Sequence, residues 1–325
     1  MSDPVVRKYD SRMKVLSSRR FPGPDFDRLP DLEVLNAKLP GALCRERADV
    51  GALATMFEVI DETVLELLPN LRIVANYGVG YDGIDVAACA RRGVAVTNTP
   101  GVVDGATADM TMALLLACRR RTITADRLVR RGSWRSVKQD QLVSDDVHNA
   151  TLGIVGCGRV GQAVARRARG FDMRLLYTQR KRLPTQIERA LDIEHRRLHE
   201  LLPEVDVLTI HCPLTAETEG LIGSVELGRL RDGATVINTA RGRVLDQDAM
   251  VAELVSGRLV AGLDVFADEP SVPDSLYELS NVVLSPHLAT ATTQTRHAMT
   301  RLVVENILAA ADGRPLLTPV PTPAV

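Results

Sequence analysis

Aromatic residues are scarce in this 325-residue chain, at 3% with a single tryptophan. So few rings offer no stacking platform for nucleobases. Nor is either charge in excess: 40 Lys and Arg against 41 Asp and Glu give a formal net charge of -1. That balance leaves no electrostatic footprint for nucleic acid or an acidic membrane. The cysteines Cys44, Cys89, Cys118, Cys157 and Cys212 are odd in number, scattered and never spaced C-x-x-C. The pattern argues against a disulfide framework or a zinc site and fits a reducing cytoplasm. No stretch approaches the ~20 apolar residues of a membrane span, and MSDPVVRKYDSRMK is too polar for a signal peptide. The expectation is a cytoplasmic protein with no metal, no nucleic acid and no membrane partner.

Hydrophobic residues at 45% and charged residues at 25% are ordinary for a globular chain. The length exceeds one core and suits two domains. Short apolar runs alternate with helix-like segments almost throughout, the pattern of an α/β protein with parallel sheets. In the first hundred residues MKVLSS, LEVLNA, GALATMF, LRIVANYG and VAVTNTP read as strands, with DETVLELLPN and DGIDVAACARRG as helices. The apolar VVDGATADMTMALLLACRRR reads as one long helix. After a polar stretch without periodicity the strands resume with TLGIVG, RLLYTQ, VDVLTIHCPL, ATVINTARG, LVAGLDVF and VVLSPHLA. A last helix, TTQTRHAMTRLVVENILAAADG, ends before a proline-rich tail expected to be poorly ordered. No tandem repeat interrupts the pattern.

TLGIVGCGRVGQAVARRARG holds Gly156, Gly158 and Gly161 as G-x-G-x-x-G, directly after a strand and opening a helix. The first glycine permits the tight turn, the second lets a pyrophosphate approach, and the third allows helix and strand to pack closely. An anion would sit on helix N–H groups, here those at Arg159 and Val160. The fingerprint predicts a dinucleotide, and the next strand end decides which one. An NAD site places an acid there, about 20 residues on. This strand ends instead in Thr178, Gln179, Arg180, Lys181 and Arg182. A missing carboxylate removes repulsion against a 2′-phosphate, and Arg180 offers a planar fork to bind one. NADP(H) is the expected cofactor.

The fingerprint lies mid-chain, so one domain is expected to be inserted in another. The substrate domain is placed at residues 1–100 and 290–325, and the NADP domain at 101–289, with the helices near Asp104 and Thr292 crossing between them. Both are expected to be doubly wound parallel sheets, a Rossmann domain inserted in a flavodoxin-like one. The active site is expected in the cleft between them, closing to exclude water.

Read with the glycine turn, ATVINTARGRVLDQDAM, LVAGLDVFADEP and VVLSPHLATATTQTR resemble the D-isomer-specific 2-hydroxyacid dehydrogenase family. Within it the chain is most similar to the NADPH-dependent glyoxylate/hydroxypyruvate reductases. The resemblance runs from about Gly51 to the final helix. It implies a catalytic trio of Arg241 in INTARG, Glu269 in DVFADEP and His287 in SPHLA. Chemistry asks for the same residue types. Hydride arriving at a keto carbon leaves charge on oxygen, which needs a proton donor titrating near neutrality. A carboxylate beside that histidine favours imidazolium and holds the ring. An arginine grips the substrate carboxylate and polarises the keto oxygen.

The resemblance further implies cofactor contacts at Thr107 in the crossover helix, at His211, Cys212 and Pro213, at Thr239 and Ala240, and at Asp264 and Ala289. Asp264 matches a position that binds the nicotinamide carboxamide, although a buried strand-end aspartate also suits a loop cap. The G-V-G of NYGVGYDGID implies that Val79 and Gly80 hold the substrate carboxylate through backbone N–H groups, with Asn76 orienting the turn. Met56 and Phe57 are candidates for the pocket wall or plain core. Where relatives carry a glutamate and a second tryptophan, this chain has Asp109 and Val137, with Trp134 alone in its GSW segment. A homodimer formed through that segment is expected by resemblance. His195 and His199, spaced one helical turn apart, have arginine neighbours and read as a solvated face.

The implied reaction is reduction of glyoxylate or hydroxypyruvate to the D-2-hydroxy acid. A 2-ketogluconate or bulkier 2-keto acid reductase would use the same residues. A dinucleotide-sensing regulator on this fold would not need a complete trio.

Overall fold

In the computed structural model, which describes residues 13–43, 45–138 and 140–322, the aliphatic runs become strands and most intervening segments helices. The chain divides into two units, Met1–Val103 with Ala291–Val325 and Asp104–Thr290.

The first unit opens with β1 (Lys14–Ser17), β2 (Leu32–Val34) and β3 (Val50–Thr55). It continues through α1 (Glu62–Leu67), β4 (Ile73–Asn76), α2 (Val86–Arg91) and β5 (Ala95–Thr97). Both helices start on an aspartate whose side chain accepts the N–H three residues on, Asp61 from Val64 and Asp85 from Ala88. The five strands are parallel in the order β2-β1-β3-β4-β5, a doubly wound sheet of the flavodoxin type. Strands β3 and β4 are fully buried and read as unbroken apolar runs, as central parallel strands do.

The second unit begins with α3 (Asp104–Arg119) and α4 (Thr122–Arg130). The apolar helix expected to end on its basic run does so, because Arg121 adopts left-handed backbone angles, φ 49, which no α-helix can continue through. Helix α4, beyond that turn, was not expected. Then come β6 (Thr151–Val155), α5 (Arg159–Ala168), β7 (Arg174–Thr178), α6 (Thr185–Leu191) and β8 (Ile193–His195). The remainder is α7 (Leu198–Leu201), β9 (Val207–Ile210), α8 (Ser224–Gly228), β10 (Thr235–Asn238), α9 (Gln247–Val255), β11 (Val260–Leu263) and β12 (Val282–Leu284). All seven strands are parallel, ordered β12-β11-β10-β9-β6-β7-β8. The order reverses between β6 and β9, the switch point at which open α/β sheets bind ligands. Helix α3 packs its buried face, including Met112, Leu115 and Cys118, into the core on one side of this sheet.

The chain returns to the first unit with α10 (Thr293–Ala311), whose N-cap Thr292 accepts the Thr295 N–H. Among the described residues no helix is long and apolar enough to cross a membrane. His195 and His199 do not share a helix: one lies in β8, edge-on to Tyr177, and the other in α7.

The tail, expected to be loose, is docked as far as it is described. Val320 is buried, its N–H bonds the Val96 carbonyl, and Thr318 Oγ1 donates to Asn98 O at 2.6 Å. Pro319 pairs antiparallel with Thr97, so the tail covers the outer edge of β5. An edge tolerates proline, and covering it removes an exposed row of hydrogen-bonding groups. Asn306, fully buried in α10, is the anchor. Its Oδ1 accepts the N–H groups of Leu317 and Thr318 at 2.9 and 3.2 Å, while its Nδ2 donates to Leu302 O and Thr318 Oγ1. Asn306→Ala would remove the acceptor of two partly buried N–H groups and is expected to cost about 1–3 kcal/mol. The denaturation midpoint should fall, and protease cleavage should appear first after Gly313.

Candidate active site

Strand β6 delivers Gly156 to the switch point with φ +89, and its N–H bonds Thr178 O on the neighbouring strand. A Cβ on Gly161 would lie 2.4 Å from Gly156 O, so helix and turn pack as closely as the fingerprint requires. Gly158 is the N-cap of α5, and no side chain caps that helix end. A Cβ there would meet nothing within 4 Å. The first-turn N–H groups of Arg159 and Val160 have no intrahelical acceptor, as a diphosphate site at a helix start requires. His211, Cys212 and Pro213 follow β9 on the other side of the switch point, and the Gly156 turn abuts the Cys212 backbone. Burial pulls the His211 imidazole well below its ordinary value, and its Nε2 lies 2.9 Å from Thr209 Oγ1. Burial likewise pushes the Cys212 thiol up to about 11, so it is not a thiolate at neutral pH.

At the end of β7 the basic residues divide their work. The Gln179 side chain, expected to face the cofactor, is engaged by the protein. Its Oε1 accepts the Cys157 N–H at 3.0 Å and its Nε2 donates to Lys181 O. Arg182 forks onto the carboxylate of Glu188 at 2.8 and 3.0 Å. Arg180 is exposed and makes no hydrogen bond or ion pair with any described residue.

The three strand ends β10, β11 and β12 carry Arg241, Glu269 and His287. His287 Nδ1 lies 2.7 Å from Glu269 Oε2. The other oxygen, Oε1, accepts the Phe266 N–H at 3.0 Å. Burial raises the Glu269 carboxyl, but the hydrogen bond and charge of His287, the Phe266 N–H and the nearby Arg241 charge outweigh it and hold it below its usual range. With an ionised Glu269, Nδ1 must carry a proton, which leaves Nε2 as the working nitrogen.

His287 sits in the left-handed region at φ 55, a conformation a β-substituted residue adopts only when held. Asp264, at the end of β11 and fully buried, does the holding. Its carbonyl accepts His287 N, and its carboxylate oxygens accept Leu288 N at 2.8 Å and Ala289 N at 2.9 Å. The side chain thus clamps the histidine loop, as a buried strand-end aspartate can. Asn238 plays the same part for Arg241. Its Oδ1 accepts Ala240 N and its Nδ2 donates to Arg241 O. Gly242 is obligatory, since a Cβ there would fall 1.9 Å from the Phe266 carbonyl carbon. Thr239 Oγ1 meets Thr111 Oγ1 of α3 at 2.9 Å, and Thr107 is buried one turn earlier. Asp109 ties α3 to Arg167 of α5.

In the first unit Asn76 ends β4 and donates to Gly78 O and Gly80 O, at 3.1 and 2.8 Å, orienting the turn that bears Val79 and Gly80. Asn98 donates to Val79 O, a second support the sequence reading missed. Asn238, Asp264 and Asn76 share one signature, an Asn or Asp closing an apolar strand just before a tight turn, which a search for strand-end Asx residues would have found. Phe57 is exposed and left-handed at φ 65 rather than core. Beside it the buried Glu58 carboxylate is held by Thr55 Oγ1, Met56 N and Arg19. Trp134 and Val137 are exposed. Among the described residues no group of three or more His, Cys, Asp or Glu could hold a metal ion.

Residues 112–289 match the family model described as D-isomer specific 2-hydroxyacid dehydrogenase, NAD binding domain. A glyoxylate reductase of Thermococcus gammatolerans is 44% identical over 92% of this chain and 93% of its own. Another, of Korarchaeum cryptofilum, is 47% identical over 82% of this chain and 81% of its own. Among solved structures, an NADPH-dependent glyoxylate/hydroxypyruvate reductase of Sinorhizobium meliloti, in complex with NADP and malonate, superposes with a TM-score of 0.84. It is 33% identical over 95% of this chain and 97% of its own.

The Asp264 clamp is open to a direct test. Asp264→Asn keeps the shape but replaces one acceptor oxygen with a donor, so one of the two loop N–H groups loses its partner. Stability should fall by about 1–3 kcal/mol, and amide exchange should quicken at Leu288 or Ala289 while distant strands stay protected.

Proposed function

The chain belongs to the D-isomer specific 2-hydroxyacid dehydrogenase family, and we propose that it reduces small 2-keto acids, glyoxylate and hydroxypyruvate, to D-2-hydroxy acids with NADPH. The observation that carries this reading is the His287 Nδ1 to Glu269 Oε2 contact at 2.7 Å, on strand ends beside Arg241. It is the acid–base couple that carbonyl reduction needs.

When bound, the nicotinamide cofactor supplies the hydride to the 2-keto carbon. His287 then gives the Nε2 proton to the developing alkoxide oxygen, and Glu269 orients the ring through Nδ1. Arg241 offers its guanidinium to the substrate carboxylate and keto oxygen. Val79 and Gly80 are assigned to hold the carboxylate through backbone N–H groups, which makes the first unit the substrate domain and residues 104–290 the dinucleotide domain. The diphosphate is assigned to Gly156, Gly158, Arg159, Val160 and Gly161. NADPH is preferred over NADH because β7 ends without a carboxylate and presents Arg180 exposed.

A homodimer is part of this reading. Helix α4 buries none of its side chains. It and the following segment expose Ile123, Val129, Trp134, Val137 and Val143. Five large apolar side chains exposed along one segment support an interface there. We assign the protein to the cytoplasm on its scattered thiols.

Initial rates of NADPH and NADH oxidation with glyoxylate, hydroxypyruvate and 2-ketogluconate test the core of the proposal. Fast NADPH oxidation with the two small acids is expected. Preference for 2-ketogluconate would retain the mechanism and move the substrate class, and absence of turnover despite tight NADPH binding would sink it. His287→Ala should lower kcat by about 10²–10⁴-fold with the NADPH dissociation constant nearly unchanged. In sedimentation velocity the protein should run as a dimer, and Trp134→Glu should shift it toward monomer.

A further inference from the structure

The loop that follows β7 is held at both ends by groups that the reaction does not use. At its start, Gln179 bridges the glycine turn and the loop, accepting from Cys157 N and donating to Lys181 O. At its end stands a buried pair. The Tyr177 ring is fully buried, and its hydroxyl donates to Glu188 Oε1 at 2.5 Å while accepting the Leu183 N–H at 2.9 Å. Glu188, with its side chain 9% exposed, takes the fork of Arg182 on the same carboxylate. The Arg182 fork and the Tyr177 hydroxyl hold the Glu188 carboxyl far below its ordinary range, so it stays ionised at working pH. Between these two anchors Arg180 and Lys181 form the exposed apex. Arg180 makes no hydrogen bond or ion pair with any described residue that would have to be broken before binding, and its charge is felt by the exposed Glu217.

We propose that Tyr177, Glu188 and Gln179 are positioning residues for cofactor selection, holding the 179–183 loop in the shape that presents Arg180 to a 2′-phosphate. The inference rests on the NADPH reading above and extends it from the contacting residue to the frame that aims it. Two features separate it from plain structural support. First, a solvent-facing loop of five residues needs no buried tyrosine–carboxylate pair to stay on the surface, and a flexible one would lose its ordering entropy on every binding event. Second, Arg182 is committed to Glu188, so phosphate recognition falls on Arg180 instead of being shared by two mobile guanidinium groups.

The test uses two probes that need no turnover, 2′,5′-ADP and 5′-AMP, which differ only in the phosphate at issue. Titration calorimetry on the full chain compares wild type with Arg180→Ala, Tyr177→Phe and Gln179→Met. The last two are neutral replacements, so they leave the local field unchanged and act only through loop geometry. Wild type should bind 2′,5′-ADP the more tightly. Arg180→Ala should erase that preference, a loss of about tenfold to a hundredfold. Tyr177→Phe and Gln179→Met should each reduce the ratio of the two affinities about five- to tenfold. Unchanged ratios in both neutral variants would overturn the inference, as would parallel losses for the two probes, which mark a purely structural role. Should Tyr177→Phe fail to fold, Gln179→Met decides alone, since it alters an exposed loop. A wild type that binds both probes equally would instead overturn the NADPH reading, and the inference with it.

Discussion

The site depends on one buried acceptor. Asp264 closes β11 and binds three consecutive N–H groups of the loop after β12, through its carbonyl and both carboxylate oxygens. These bonds fix the backbone that keeps His287 at φ 55 and its ring 2.7 Å from Glu269. Left-handed backbone at a β-substituted residue costs of order 1–3 kcal/mol. Three hydrogen bonds to a buried aspartate can offset that. The strain is therefore local, and the clamp that sustains it sits on the neighbouring strand.

The same device recurs because parallel sheets pose the same problem at every strand. All strands finish on one edge, and the loops leaving that edge have lost their ladder partners but remain close to the core. Asn238 and Asn76 answer as Asp264 does, folding back to take up or supply the bonds of the next two to four residues. Each thereby sets the direction of a turn that carries a proposed substrate or catalytic group. Buried carboxylates follow the corresponding rule for charge. Glu58 meets Thr55, Met56 N and Arg19, and Glu188 meets Tyr177 and Arg182. An unpaired carboxylate at these depths would be protonated or would destabilise the fold.

Much of this was legible in the chain itself. The period of apolar runs marked eleven of the strands, and β8, three residues long with one buried position, was lost to its charged neighbours. The glycine fingerprint marked the turn between β6 and α5. The end of α3 at its arginine run was legible too, whereas α4, which buries no side chain, carries no buried face to mark it. The tail was misread because prolines signal disorder in isolation, whereas here Asn306 and the open edge of β5 supply partners from far along the chain.

By itself the sequence determined the two α/β units, the parallel sheets, the dinucleotide turn and the identity of the groups able to do the chemistry. Those features follow from local periodicity, from glycines where a Cβ cannot fit, and from residue types with suitable charge and protonation. Tertiary structure alone decided which polar side chains are already engaged. Gln179 turned out to brace the loop, Arg182 to serve Glu188, and Asp264 to clamp His287. A side chain's capacity to bind is a property of its type, but its availability depends on neighbours brought close only by folding.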